Sequence, residues 1–131
     1  MKRNLRTILL IILVTGLFSF RLFGILDDVI GAMKAGSSDQ LAKYFDNVVE
    51  ITMPDKSNSY SKSQAEIIMK DFFNNNKVKS FDVLHKGDNG NSNYCIGNLL
   101  TKDGKFRTTL FVKQRGDKQY LQEIRIEAQA P

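Results

Sequence analysis

Tyr60-Ser61-Lys62-Ser63-Gln64-Ala65-Glu66-Ile67-Ile68-Met69-Lys70-Asp71-Phe72-Phe73 is the stretch whose reading decides the fold. Ala65, Ile68, Met69 and Phe72 fall at i, i+3, i+4 and i+7, the spacing of one apolar stripe on a helix. Ser63 and Glu66 have the S-x-x-E spacing of a capping box, which satisfies two backbone donors at the first turn. Glu66 and Lys70 are spaced as an i,i+4 pair on the wet side. Asn74, Asn75 and Asn76 are poor helix formers and are expected to end the helix. A helix with one apolar stripe needs a surface to lie on.

The downstream chain supplies that surface. From Lys79 the pattern changes to period 2, and Phe81, Val83 and His85 are expected on one strand face. Asp88-Asn89-Gly90-Asn91 is a turn. Tyr94, Ile96, Asn98 and Leu100 alternate with Cys95, Gly97 and Leu99. Asp103-Gly104 is the pair that favours a type I′ hairpin. Phe106, Thr108, Leu110 and Val112 continue the inward set, Arg115 to Lys118 turn the chain, and Tyr120, Gln122, Ile124 and Ile126 close it. Four such strands with tight turns predict an antiparallel meander.

Upstream, Leu26, Val29, Ile30 and Met33 repeat the helical spacing, so Ile25 to Ala35 reads as a helix with Gly36 as its C-cap. Ser37, Ser38 or Asp39 caps a short second helix reaching Phe45. Val48 to Met53 is a strand rich in β-branched residues and stopped by Pro54. Residues 55–59 read as a polar turn, with Tyr60-Ser61 adding a brief strand. The order is α-α-β-(β)-α-β-β-β-β: an α+β cone, with a curved antiparallel sheet around one long helix and a short helix pair beside it.

Residues 1–24 stand outside that domain. Lys2, Arg3 and Arg6 precede an apolar run from Ile8 to Phe20 that is short for a bilayer span. This is the pattern of a secretory signal, with an uncleaved membrane anchor as the alternative. The chain is expected to be exported, periplasmic or secreted, and to meet a membrane only through this segment if it is retained. The segment holds four basic residues and no acid, so the formal net charge of +5 falls to +1 for residues 25–131. That near-neutrality argues against nucleic acid as a partner. Cys95 is the only cysteine, so no intrachain disulfide forms and the thiol reads as a small apolar strand residue.

Tyr60-Ser61-Lys62-x-Gln64-Ala65-Glu66, Lys70-x-Phe72-Phe73, His85-x-Gly87, Ile96-Gly97-x-Leu99, Gly104-x-Phe106-Arg107 and Ile124-x-Ile126-Glu127 carry a resemblance. The element order resembles the nuclear transport factor 2-like (cystatin-like) superfamily. The motifs look like those of the domain-of-unknown-function 4783 family, small exported proteins chiefly from Bacteroidota. The resemblance implies the cone fold over residues 25–127 and no activity, because the family has none assigned. The superfamily includes ketosteroid isomerases and scytalone dehydratases. The isomerase set, a carboxylate base with an oxyanion pair of Tyr and protonated Asp, cannot be placed on this sequence.

His85 is the only histidine, and as a base or anchor it is the residue a pocket enzyme would use; the bland reading is a structural histidine at a strand end. Tyr60, His85, Tyr94 and Tyr120 are the ligand-pocket candidates, since tyrosine joins an apolar ring to a polar tip. Cys95, Leu99, Phe111 and Leu121 alternate away from the inward set and are the candidates for a sheet-face interface. No His-x-x-x-His or Cys-x-x-Cys spacing occurs, so neither a metal nor a cofactor is expected. The basic residues Lys102, Lys105, Arg107, Lys113, Arg115 and Lys118 read as a solvated sheet face. Three functions stay open: a non-catalytic domain binding a small apolar ligand or a partner, a pocket enzyme using His85, and a homodimer formed through the sheet.

Overall fold

The computed structural model describes residues 24–130. The signal or anchor expected at the N-terminus lies outside these residues except for Gly24. Among them, no helix is long and apolar enough to cross a membrane.

Helix α1 (Leu26–Ala35) buries Leu26, Val29, Ile30, Ala32 and Met33. Its first turn has no side-chain cap. Instead the Ile25 amide donates to Gln119 Oε1 at 2.8 Å, a residue distant in sequence. Gly36 ends the helix with φ 60°, and its amide and that of Ser37 satisfy the last carbonyls. Ser37 caps the five-residue α2 (Ser38–Ala42). Phe45 does not extend α2 as the sequence suggested. It opens β1 (Phe45–Thr52), where it pairs with Leu121 of the last strand. Long-range pairing has overridden a weak local helical preference.

β1 turns back at Pro54 into β2 (Ser57–Ser61), which takes in three residues of the expected polar turn. The long helix α3 (Lys62–Asn75) follows. Its capping box is Ser61 with Gln64, two residues earlier than the Ser63–Glu66 spacing. The helix buries Ala65, Met69 and Phe73, and leaves Ile68 and Phe72 half-buried on one flank. Asn76 closes it, its amide and side-chain Nδ2 both donating to the Phe72 carbonyl.

β3 (Val78–Asn89), β4 (Ser92–Thr101), β5 (Lys105–Arg115) and β6 (Lys118–Ala128) form the expected meander. The sheet order is β2-β1-β6-β5-β4-β3, and β1 runs parallel to β6, so the sheet is mixed. The β3–β4 and β5–β6 turns place Gly90 and Gly116 at φ 66° and 65°. The β4–β5 loop is not the expected type I′ turn, because neither Asp103 nor Gly104 has positive φ. Thr101 holds that loop by exchanging hydrogen bonds with the Gly104 amide and carbonyl.

The helices cover the inner face of the sheet. There Cys95, Leu99, Leu110, Val112, Leu121, Ile124 and Ile126 pack as one core with the buried residues of the helices. Two of the register shifts in the sheet change the facing of residues singled out from the sequence. Val83 pairs with Gly97 but His85 with Ile96, so Leu84 is an extra residue in β3. Phe111 pairs with Glu123 but Val112 with Leu121, so Gln122 is an extra residue in β6.

Candidate functional site

A cleft of about 440 Å³ opens where the C-terminal half of α3, the β1–β2 turn and the start of β5 meet. Met53, Pro54, Ile68, Phe72 and Phe106 give it apolar walls, and Asp55, Lys56, Asp71, Asn75 and Asn76 a polar rim. Each wall residue is there for a local reason. Pro54 stops β1, and the Met53 amide and carbonyl clamp the turn through Lys56 at 2.7 and 3.3 Å. Phe72 and Phe73 are successive helical residues, about 100° apart around the axis, so both cannot face the core. Phe73 is buried, and Phe72 meets Phe106 edge to face with ring centroids 5.3 Å apart.

The rim charges Asp55, Lys56 and Asp71 are exposed and not ion-paired with one another. No histidine or cysteine lines the cleft. Among the described residues, no group of three or more His, Cys, Asp or Glu is placed to hold a metal ion. The chemistry on offer is apolar contact, hydrogen bonding and exposed charge.

None of the four sequence candidates for the pocket lines this cleft. Tyr60 is half-buried on β2 and packs against the core. His85 is on the outer face of the sheet, because the extra residue Leu84 turns it away from the side of Phe81 and Val83. There its Nε2 meets the Tyr94 hydroxyl at 3.2 Å. The Tyr94 ring lies over Gly87, where an added Cβ would collide with a ring carbon. Tyr120 lies under the Arg115 guanidinium, 4.8 Å from ring centre to Cζ. Only His85 and Tyr94 are brought together.

The expected interface stripe is inverted. Cys95, Leu99 and Leu121 are fully buried in the core, and only Phe111 stands half-exposed on the outer face. On β4 both alternating sets are apolar, so period 2 alone does not say which set faces in. On β6 the extra residue Gln122 turns Leu121 inward. Burial pushes the Cys95 thiol up to about 11, so it stays protonated at neutral pH. Phe111 lies 6.0 Å from Tyr94, and Arg125 stacks over it at 5.2 Å.

Sequence reasoning also missed Asp46. Its carboxylate is almost buried and accepts from Arg115, from Gln122 Nε2 at 3.0 Å and from the Asn47 amide at 2.7 Å. Arg115, read from sequence as part of a solvated face, is the fixed partner of this acid.

A curved sheet wrapped on one long helix, with an open cleft beside that helix, defines a nuclear transport factor 2-like α+β protein. An NTF2-like protein of unknown function from Cytophaga hutchinsonii has the same fold at 10% identity, with a TM-score of 0.59 over 80% of this chain and 87% of that one. The family model for a domain of unknown function, DUF4783, matches residues 26–127, and the chain belongs to that family. A DUF4783 protein from Bacteroides uniformis is 38% identical, with a TM-score of 0.77 over 80% of this chain and 97% of that one. One from Bacteroides ovatus is 36% identical, with a TM-score of 0.76 over 79% and 94%. No curated protein matches the sequence.

Proposed function

We propose that this is an exported, non-catalytic binding domain whose α3–β5 cleft takes a small, largely apolar ligand. The observation that carries the reading is the cleft itself. Its volume of about 440 Å³ lies within the ~300–1,000 Å³ usual for small-molecule sites, with apolar walls and a few polar groups at the rim. His85, the residue a pocket enzyme would use, stands beside Tyr94 on the opposite face of the sheet. Export rests on the basic start and short apolar run of residues 1–24.

Native mass spectrometry of the protein from its own host tests this. The expected result is a mass lacking the N-terminal segment and carrying a small adduct. Asn75→Trp, at an exposed lining position, is expected to fill the cleft and abolish the adduct. Protein without an adduct, or an adduct that survives Asn75→Trp, overturns the reading.

A second reading, self-association through the sheet, is favoured by one observation: Tyr94, Ile96 and Phe111 are adjacent and half-exposed on the outer face. Sedimentation velocity at rising concentration checks it. A dimer that Phe111→Glu dissociates supports it, and a monomer throughout removes it.

A further inference from the structure

Asn89-Gly90 is the one Asn-Gly pair in the chain, and Asp103-Gly104 the one Asp-Gly pair. Both stand exposed at hairpin tips. Glycine matters in such a pair because it puts no Cβ beside its backbone nitrogen. That nitrogen is then open to the side-chain carbonyl of the residue before it. The two tips differ in what the glycine nitrogen does. The Gly104 amide donates to Thr101 Oγ1 at 3.1 Å, and Thr101 is buried. The Gly90 amide donates to no backbone carbonyl in its turn. Asn89 pairs with Ser92, so Gly90 and Asn91 are the two central residues of that turn. Gly90 has φ 66° and Asn91 a negative φ, as in a type II′ turn, which leaves the first central amide free. A Cβ built on Gly90 meets nothing within 4 Å, so the space around this nitrogen is open.

We propose that Asn89 is a site of spontaneous modification, converted through a cyclic imide to aspartate and isoaspartate in the folded protein, and that Thr101 protects Asp103 from the same route. The Gly90 nitrogen attacks Asn89 Cγ. The new N–Cγ bond forms, the Cγ–Nδ2 bond breaks, and Nδ2 leaves as ammonia with the proton of the Gly90 amide. Water then opens the imide. Cleavage at Cγ gives aspartate, and cleavage at the main-chain carbonyl carbon gives isoaspartate. At Asp103 the imide would form with loss of water, but the Gly104 amide must first leave Thr101. Either product at residue 89 places a second carboxylate next to Asp88. Isoaspartate also lengthens the main chain by one carbon, so the pairing of residue 89 with Ser92 cannot be kept. The next pairs along the ladder are Asp88 with Asn93 and Gly87 with Tyr94. The disturbance therefore travels toward the outer-face ring of Tyr94.

The test holds the purified protein in mildly alkaline buffer, native and in urea, and digests samples at intervals. Peptide mapping by mass spectrometry, with fragmentation that separates isoaspartate from aspartate, reads residues 89 and 103. Native protein is expected to accumulate both products at residue 89, isoaspartate in excess, at a rate comparable with that of the urea-unfolded chain. Residue 103 is expected to isomerise only in urea. Asn89→Gln, at an exposed position, is expected to fold and to lose the product. Thr101→Val is expected to bring isoaspartate to residue 103 without urea, and Thr101→Ser, which keeps the hydroxyl, to leave it protected. Conversion of Asn89 that appears only in urea, or native isomerisation at residue 103 as fast as conversion at residue 89, overturns the proposal. An unreactive residue 103 in folded Thr101→Val overturns the protection assigned to Thr101.

Discussion

The imidazole Nε2 of His85 and the hydroxyl of Tyr94 meet at 3.2 Å on the outer face of the sheet, away from the cleft. One extra residue, Leu84, puts the histidine there. His85→Ala is therefore expected to leave cleft binding unchanged and to alter stability by no more than ~0.5 kcal/mol, as for a solvent-exposed pair. Ligand titration and urea unfolding check this. A tenfold loss of cleft affinity would return the imidazole to the site.

Tyr94 has a second role, as the cover of Gly87. A Cβ at residue 87 would enter the ring, so Gly87→Ala is expected to displace Tyr94 and cost about 1–2 kcal/mol. In the Tyr94→Ala background the same substitution should cost almost nothing, because the obstacle is gone. A double-mutant cycle measures this coupling. Equal costs in both backgrounds would mean that the ring does not limit residue 87.

The N-terminus of α3 separates two capping registers. Ser61→Ala is expected to cost about 1 kcal/mol, since Ser61 Oγ accepts from the Gln64 amide. Ser63→Ala, inside the first turn, should cost a few tenths at most. Urea denaturation of the two variants decides between them, and the reverse order would restore the Ser63–Glu66 box.

That cap shows how far this fold was legible. Ser61-x-x-Gln64 and Ser63-x-x-Glu66 both satisfy the box rule, and sequence spacing cannot rank overlapping boxes. The helix and the four-strand meander were readable because their periods are local. The parallel β1–β6 pairing was not, because Phe45 joins Leu121 across most of the chain. The extra residues Leu84 and Gln122 leave no mark in an alternating pattern, yet each reverses the residues beside it. His85 and Leu121 were misplaced for this reason. The cleft had one legible signal, the adjacent pair Phe72-Phe73, of which only one can face the core.

Cys95 gives a pH prediction. Its folded pKa is about 11 against an ordinary 9.0, raised chiefly by burial. The folded state therefore holds the thiol proton more tightly than the unfolded chain. Its contribution to stability is complete below pH 9.0 and is lost as pH rises through about 11. Cys95→Ala should flatten that part of the alkaline decline in unfolding free energy, although the variant starts less stable because it leaves a small void. The native thiol should also resist alkylation at pH 7.5 and react once the chain is unfolded. Rapid native labelling would place the thiol at the surface.

Asp46 ties the start of β1 to the β5–β6 end of the sheet through Arg115 and Gln122. Its side chain is 6% exposed while that of Arg115 is 50% exposed, so the pair lies between a surface and a buried salt bridge. Arg115→Ala leaves a nearly buried carboxylate with Gln122 and the Asn47 amide as its remaining donors. The expected cost is about 2 kcal/mol, below that of breaking a fully buried pair because water reaches the arginine side. Asp46→Asn keeps the shape and loses the charge, so it should cost about 1 kcal/mol, with the Arg115 variant adding little to it. Thermal unfolding of the two single variants and the double variant measures the coupling. Additive costs would mean that Arg115 acts through its stack on Tyr120 rather than through the carboxylate.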